Sequence, residues 1–208
     1  MQLIAMITML IDHIGYIFFP KDMAWRYIGR IAFPIYCYAL VQGHIHTSST
    51  RKYLWRLLLI ALIAQLPYNL ALDPEGLNVV FTLLFSALIL AILDRTRSLW
   101  LGFPLIAGAC FMMDHFPMDY GAYGLILVLI YRYTKTYTMV FAHLGLNIFY
   151  LFYNGWLIQM ASLLPTLMIA FGPVLWGQLE MRRVPRKIWW SFYPGHLIFL
   201  TVAKWYYD

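Results

Sequence analysis

Residues 78–94 read NVVFTLLFSALILAILD. No side chain is charged before Asp94, and the apolar positions run on without alternating. A half-exposed strand alternates apolar with polar; a continuous run this long reads as a helix in apolar surroundings. Similar runs fall at about 2–19, 25–45, 53–72, 98–113, 119–133, 138–154, 156–177 and 188–206. The chain has 208 residues, 62% hydrophobic and 12% charged. An ordinary soluble domain carries about 25% charged residues. So much apolar surface cannot be hidden within the chain, and lipid is the expected solvent. A membrane helix needs roughly 20 apolar residues to cross about 30 Å of hydrocarbon. The expectation is therefore an all-α polytopic bundle of about nine transmembrane helices, one domain over residues 1–208, in a cell membrane. Pro165, Gly172 and Pro173 should bend or break the eighth run, as one helix or two half-helices.

Charge sets the orientation. Counted alternately, one set of loops holds Arg51, Lys52, Arg56, Arg95, Arg97, Arg132, Lys135, Arg182, Arg183, Arg186 and Lys187. The other holds Lys21, Arg26 and Lys204 with Asp22, Asp73, Glu75, Asp114, Asp119 and Asp208. The basic set should face the cytoplasm, placing the N-terminus inside and the C-terminus outside. The net charge of +6 is thus a topology signal, and no nucleic-acid partner is expected. The first run lacks a basic region before it and a small-residue cleavage site after Phe19, and reads as a retained helix. Cys37 and Cys110 lie in apolar runs and read as packing residues.

The polar residues inside these runs are the informative ones, because a charge at mid-membrane costs about 2.5–3.5 kcal/mol on insertion scales. Asp12 and His13 sit side by side in MLIDHIGYIFF. Arg26 and Arg30, four apart, share a face of the next helix, at nearly the depth of Asp12. Asp12 is expected to pair with Arg30 across this hairpin. That leaves His13 to point into a cavity as a neutral proton acceptor. His196, after Pro194 and Gly195 in the last run, could meet it. His143 and Asn147, four apart, read as interhelical glue. No His pair has the H-x-x-x-H spacing, and no metal is expected.

Four stretches resemble the TraX family, named for the enzyme that acetylates the N-terminus of F-pilin. They are IAMITMLIDHIGYIFF (4–19), RYIGRIAFPIYCYALVQGHIHTSSTRKYLWRLL (26–58), NVVFTLLFSALIL (78–90) and YGAYGLILVLIYR (120–132), with FYPGHLIFL (192–200) a weaker fifth. That family in turn resembles a larger set of integral-membrane acyltransferases. The resemblance implies transfer of an acetyl group from cytosolic acetyl-CoA, with His13 matching the superfamily's essential histidine. Many members carry an arginine about eleven residues before that histidine; here the place falls near Gln2.

The expected mechanism follows. Arg51, Lys52, Arg56, His46, Arg95 and Arg132 bind the phosphates of acetyl-CoA at the cytoplasmic rim. The thioester descends a funnel to His13, the general base. Asp12 and Arg30 hold the ring, and His196 or a backbone amide near Gly195 stabilises the oxyanion. The acceptor enters from the outer side past Arg26, Asp114, His115, Asp119 and Tyr120, whose carboxylates favour a cationic amine over a hydroxyl. Direct transfer and an acetyl-histidine intermediate both stay open. The alternative is a small proton-coupled transporter using Asp12, His13 and Arg30. Partners are acetyl-CoA, a peptide amine or glycan acceptor, and lipid; oligomeric state is not encoded.

Overall fold

A computed structural model describes residues 1–74, 76–96, 98–172 and 184–207. Glu75, Arg97, Pro173, Arg182, Arg183 and Asp208, read above, lie outside the described residues. The described residues are helical: α1 (Gln2–Phe18), α2 (Met23–Gly29), α3 (Ala32–His46), α4 (Thr50–Leu72), α5 (Val79–Thr96), α6 (Leu99–His115), α7 (Gly121–Tyr133), α8 (Thr136–Asn154), a 3-10 turn (Leu157–Ser162), α9 (Leu163–Phe171) and α10 (Arg186–Tyr207). An isolated bridge pairs Leu77 with Met118.

Each apolar run of the sequence became helix, and two runs divided. The run over 25–45 breaks between α2 and α3, which the sequence reading did not anticipate. Pro34 explains it: with no N–H, it cannot bond the carbonyl of Arg30, and its ring crowds that carbonyl. The chain turns at Arg30 and Ile31, where the Ile31 amide reaches back only three residues, to Ile28 at 3.2 Å. Over its described residues the eighth run divides at Ser162 and Leu163, just ahead of Pro165. A 3-10 turn leads into α9, with Pro165 in its first turn, and the helix stops at Gly172.

Contacts fix the direction of each helix. α1 and α10 run parallel: Gln2 Oε1 accepts the Val184 amide at 3.0 Å at one end, and Phe18 meets Tyr207 edge-on at 5.6 Å at the other. α4 runs with them; Arg56 lies over Trp190 at 5.1 Å, and Thr201 and Lys204 donate to the carbonyls of Pro67 and Ala71 at 3.4 and 3.3 Å. α3, α5 and α7 run the other way together: Phe33 stacks on Tyr120, Thr82 donates to the Asp119 carbonyl, and Asp94 bonds Arg132. Arg51, Lys52, Arg56, Arg95, Arg132, Lys135, Arg186 and Lys187 therefore gather at the end where α1 and α10 begin. Asp22, Asp73, Asp114 and Asp119 gather at the other.

α4 and α5 are long and apolar enough to cross a membrane. Large apolar side chains cover the outside, with Trp100 on α6 90% exposed and Phe152 on α8 85% exposed. In water such a surface would drive association. Inside, α7, α8 and α9 are joined by a buried polar network. His143 contacts Thr166 at 2.6 Å through Nδ1, and the Tyr123 and Ser162 hydroxyls at 2.9 and 3.1 Å through Nε2. Asn147 donates to the Gln159 carbonyl, Gln159 to the Tyr123 hydroxyl, and Tyr131 meets Thr166. This is the interhelical role read for His143 and Asn147.

Candidate functional site

The site begins in the α1–α2 hairpin, which two glycines allow to close. A Cβ at Gly15 would lie 2.1 Å from the Trp25 Cβ, and one at Gly29 would lie 2.1 Å from Asp12 Oδ1. Phe19 stacks on Trp25 at 5.0 Å, and Asp22 caps α2 by accepting the Ala24 amide at 3.0 Å. The buried Asp12 carboxylate thereby meets two arginines. Arg26 Nη1 donates to Oδ1 at 3.0 Å, and Arg30 Nη2 reaches Oδ2 at 3.3 Å. Two guanidiniums thus share this carboxylate, and Asp119 lines the same cavity.

Next to it, His13 Nδ1 lies 2.8 Å from His196 Nε2, with the ring planes nearly parallel and the ring centres 5.0 Å apart. His196 Nδ1 lies 2.7 Å from the Phe192 carbonyl oxygen. Both nitrogens of His196 are thus engaged within the protein. The meeting of the two rings brings together residues 183 positions apart.

His13, Asp12, Arg26 and Arg30 line a cavity of about 220 Å³, walled also by Tyr16, Phe33, Tyr68, Asp119 and Tyr120. The α6–α7 loop supplies the last two. Tyr120 holds φ at 67°, in the left-handed region that a side chain seldom adopts. Its ring stacks on Phe33 at 3.7 Å, with the Arg30 guanidinium 5.4 Å from the ring centre. Burial pushes the Asp119 carboxyl up to about 6, and the Arg30 charge limits the rise.

Other predicted site residues stand elsewhere. Asp114 does not line the cavity: its Oδ1 accepts the Ala122 amide at 2.8 Å and caps α7, where Gly121 leaves it room. His115 stacks on Phe111 at 6.0 Å. None of Arg51, Lys52, Arg56, His46, Arg95 and Arg132 lines the cavity, so the expected funnel from basic rim to His13 is not open. Aromatic rings stand along that path: Tyr193 lies 6.5 Å from His13, and Tyr36 stacks on Trp189 at 4.9 Å. His46 Nδ1 contacts its own Gln42 carbonyl at 2.8 Å. Arg132 is paired with Asp94 at 3.1 Å, and Asp94 also meets His44 Nε2 at 3.0 Å and the Tyr133 hydroxyl at 3.1 Å. A carboxylate the sequence reading passed over thus neutralises Arg132. Gln2, in the place of the superfamily arginine, holds Val184.

Sequence reasoning missed Tyr16 and Tyr68. Tyr16 was within reach, being four residues on from Asp12 and so on its face. Tyr68 is brought in from α4 by tertiary packing alone.

The family model described as TraX protein matches residues 1–204. A probable fimbrial assembly protein FimC of serogroup H1 from Dichelobacter nodosus is 30% identical, over 98% of this chain and 94% of its own length. No solved structure matches.

Proposed function

The chain belongs to the TraX family, and on that premise we propose that it is a membrane acetyltransferase, moving an acetyl group from acetyl-CoA to an amine. The observation that carries this reading is the sharing of one cavity wall by His13, Arg26 and Arg30. A proton acceptor and cationic donors aimed at the carbonyl oxygen are what aminolysis of a thioester needs. The amine nitrogen attacks the acetyl carbonyl while His13 takes its proton. Negative charge on the carbonyl oxygen faces Arg26 and Arg30, with Asp12 holding both in place. The carbon–sulfur bond then breaks, and the thiolate leaves with the proton from His13. Asp119, beside Tyr68 and Tyr120, attracts the acceptor as an ammonium ion and takes its extra proton, passing it on to water, so that the neutral amine attacks.

Two features support a donor arriving from the basic end, which faces the cytoplasm under the positive-inside rule. Arg51 and Lys52 are exposed there without a carboxylate partner among the described residues, and Arg56 lies flat against Trp190. A cavity of about 220 Å³ is smaller than the ~300–1,000 Å³ of drug-sized sites. It suits the reacting ends of donor and acceptor, leaving the nucleotide outside. The Tyr36–Trp189 stack and Tyr193 part to admit the thioester arm.

The test uses purified protein in detergent, labelled acetyl-CoA and a peptide with a free N-terminus. Acetylated peptide is expected from the wild type and not from a folded His13→Ala protein. Transfer by His13→Ala at the wild-type rate would remove His13 from the reaction. Labelling of an N-blocked, hydroxyl-bearing peptide instead would reassign the acceptor.

A further inference from the structure

The hydrogen-bond chain behind His13 has only one direction. A backbone carbonyl accepts and never donates, so the His196 Nδ1 that contacts the Phe192 oxygen carries a hydrogen. In a neutral ring, Nε2 of His196 is then bare. It can only accept from His13, so His13 Nδ1 carries a hydrogen in turn. That leaves Nε2 of His13 without one, and His13 is the ring that lines the cavity while His196 does not.

We propose that His196 is a positioning residue that locks His13 in its Nδ1–H form and holds the reaction's proton in transit. This rests on the assignment of His13 as base. As the amine's proton bonds to His13 Nε2, the Nδ1 hydrogen moves to His196 Nε2. The positive charge then sits on the ring away from the cavity, still donating through Nδ1 to Phe192. The hydrogens retrace the path when the thiolate sulfur takes the proton from His13 Nε2, and both rings end neutral. Charge favours the outward step: Arg26 and Arg30 line the cavity with His13, whereas His196 sits one ring behind. The ionisable groups around the pair are Tyr193 and, lining the cavity with His13, Asp12, Tyr16, Arg26, Arg30, Tyr68, Asp119 and Tyr120.

The first test needs no substrate. With ¹⁵N-labelled histidine, and His13→Gln to assign the signal, His13 in the wild type should show a protonated Nδ1 and a bare Nε2. In His196→Ala it should shift toward the Nε2–H form that free imidazole side chains prefer. A wild-type His13 already in the Nε2–H form overturns the proposal, whatever the protein acetylates. The second test is kinetic. His196→Ala should lower kcat about 100-fold with KM for acetyl-CoA within about threefold. His196→Gln, whose amide oxygen can still accept from His13 but cannot take a proton, should recover about tenfold of that loss. It should also move the acidic limb of the kcat profile. Equal losses in both variants, with equal losses of thermal stability, would reduce His196 to a packing residue. Normal tautomers with no transfer by any form would retain the lock and overturn the acetyltransferase reading.

Discussion

Two clusters in this bundle are built from the same kinds of residue and differ in what they leave free. Around His143, hydroxyls from α7, the 3-10 turn and α9 engage both ring nitrogens, and no cavity adjoins the ring among those described. Around His13, one nitrogen is held by a second histidine and the other faces about 220 Å³ of space beside two guanidiniums. A polar group buried with all its partners contributes to packing. One with a bare lone pair and room beside it is available to react. A histidine in an apolar helix is thus uninformative until its second nitrogen is followed.

The sharpest way to break this contrast is to remove each ring in turn. His13→Ala should lower acetyl transfer by about 10²–10⁴-fold, the usual worth of a general base, with little change in thermal unfolding in detergent. His143→Ala should do the reverse, destabilising the fold by about 2–4 kcal/mol by leaving Thr166, Tyr123 and Ser162 each one partner short in the interior. If His143→Ala proved stable and inactive, the two clusters would have to exchange roles.

Asp12→Ala comes next. It leaves two partly buried guanidiniums uncompensated, a loss of about 3–5 kcal/mol in comparable sites. Thermal unfolding should show the change, and Asp12→Glu should restore part of it. Gly29→Ala should cost about 1–3 kcal/mol, since its methyl would strike the Asp12 carboxylate. Substituting Gly145, whose added Cβ meets nothing within 4 Å, should leave unfolding nearly unchanged.

The smallest effects concern the two acids at the cavity end. The native Asp119 carboxyl titrates near 6, above the usual range, so the folded state retains its proton longer than the unfolded chain. Its ionisation lowers stability as pH rises from about 4 to 6, and Asp119→Asn should remove that slope. If the ionised form attracts an ammonium acceptor, KM for that acceptor should fall as pH rises through about 6 in the wild type and stay flat in Asp119→Asn. Asp114→Ala should cost about 1 kcal/mol through the lost cap of α7, with acceptor KM unchanged.

The helices were legible because a long uninterrupted apolar run has one backbone solution in lipid. The Asp12–Arg30 contact was legible because a hairpin and a rise per residue fix depth. The break at Arg30 was encoded too, in Pro34 four residues on, but the apolar count masked it. What could not be read was which pairs of distant helices touch. Nothing local says that Asp94 will occupy Arg132, or that Asp114 will serve a helix terminus while Asp119, five residues later, enters a cavity. Those outcomes depend on the rotation of whole helices, to which hydrophobicity is blind once every face is apolar.

The two imidazoles meet only when α10 lies against α1, which begins 184 residues earlier. A chain still on the ribosome, with its early helices already inserted, has no second ring to orient the first. On the proposed mechanism, competence to react waits for the synthesis of α10, and a product cut short before His196 would leave His13 without its partner.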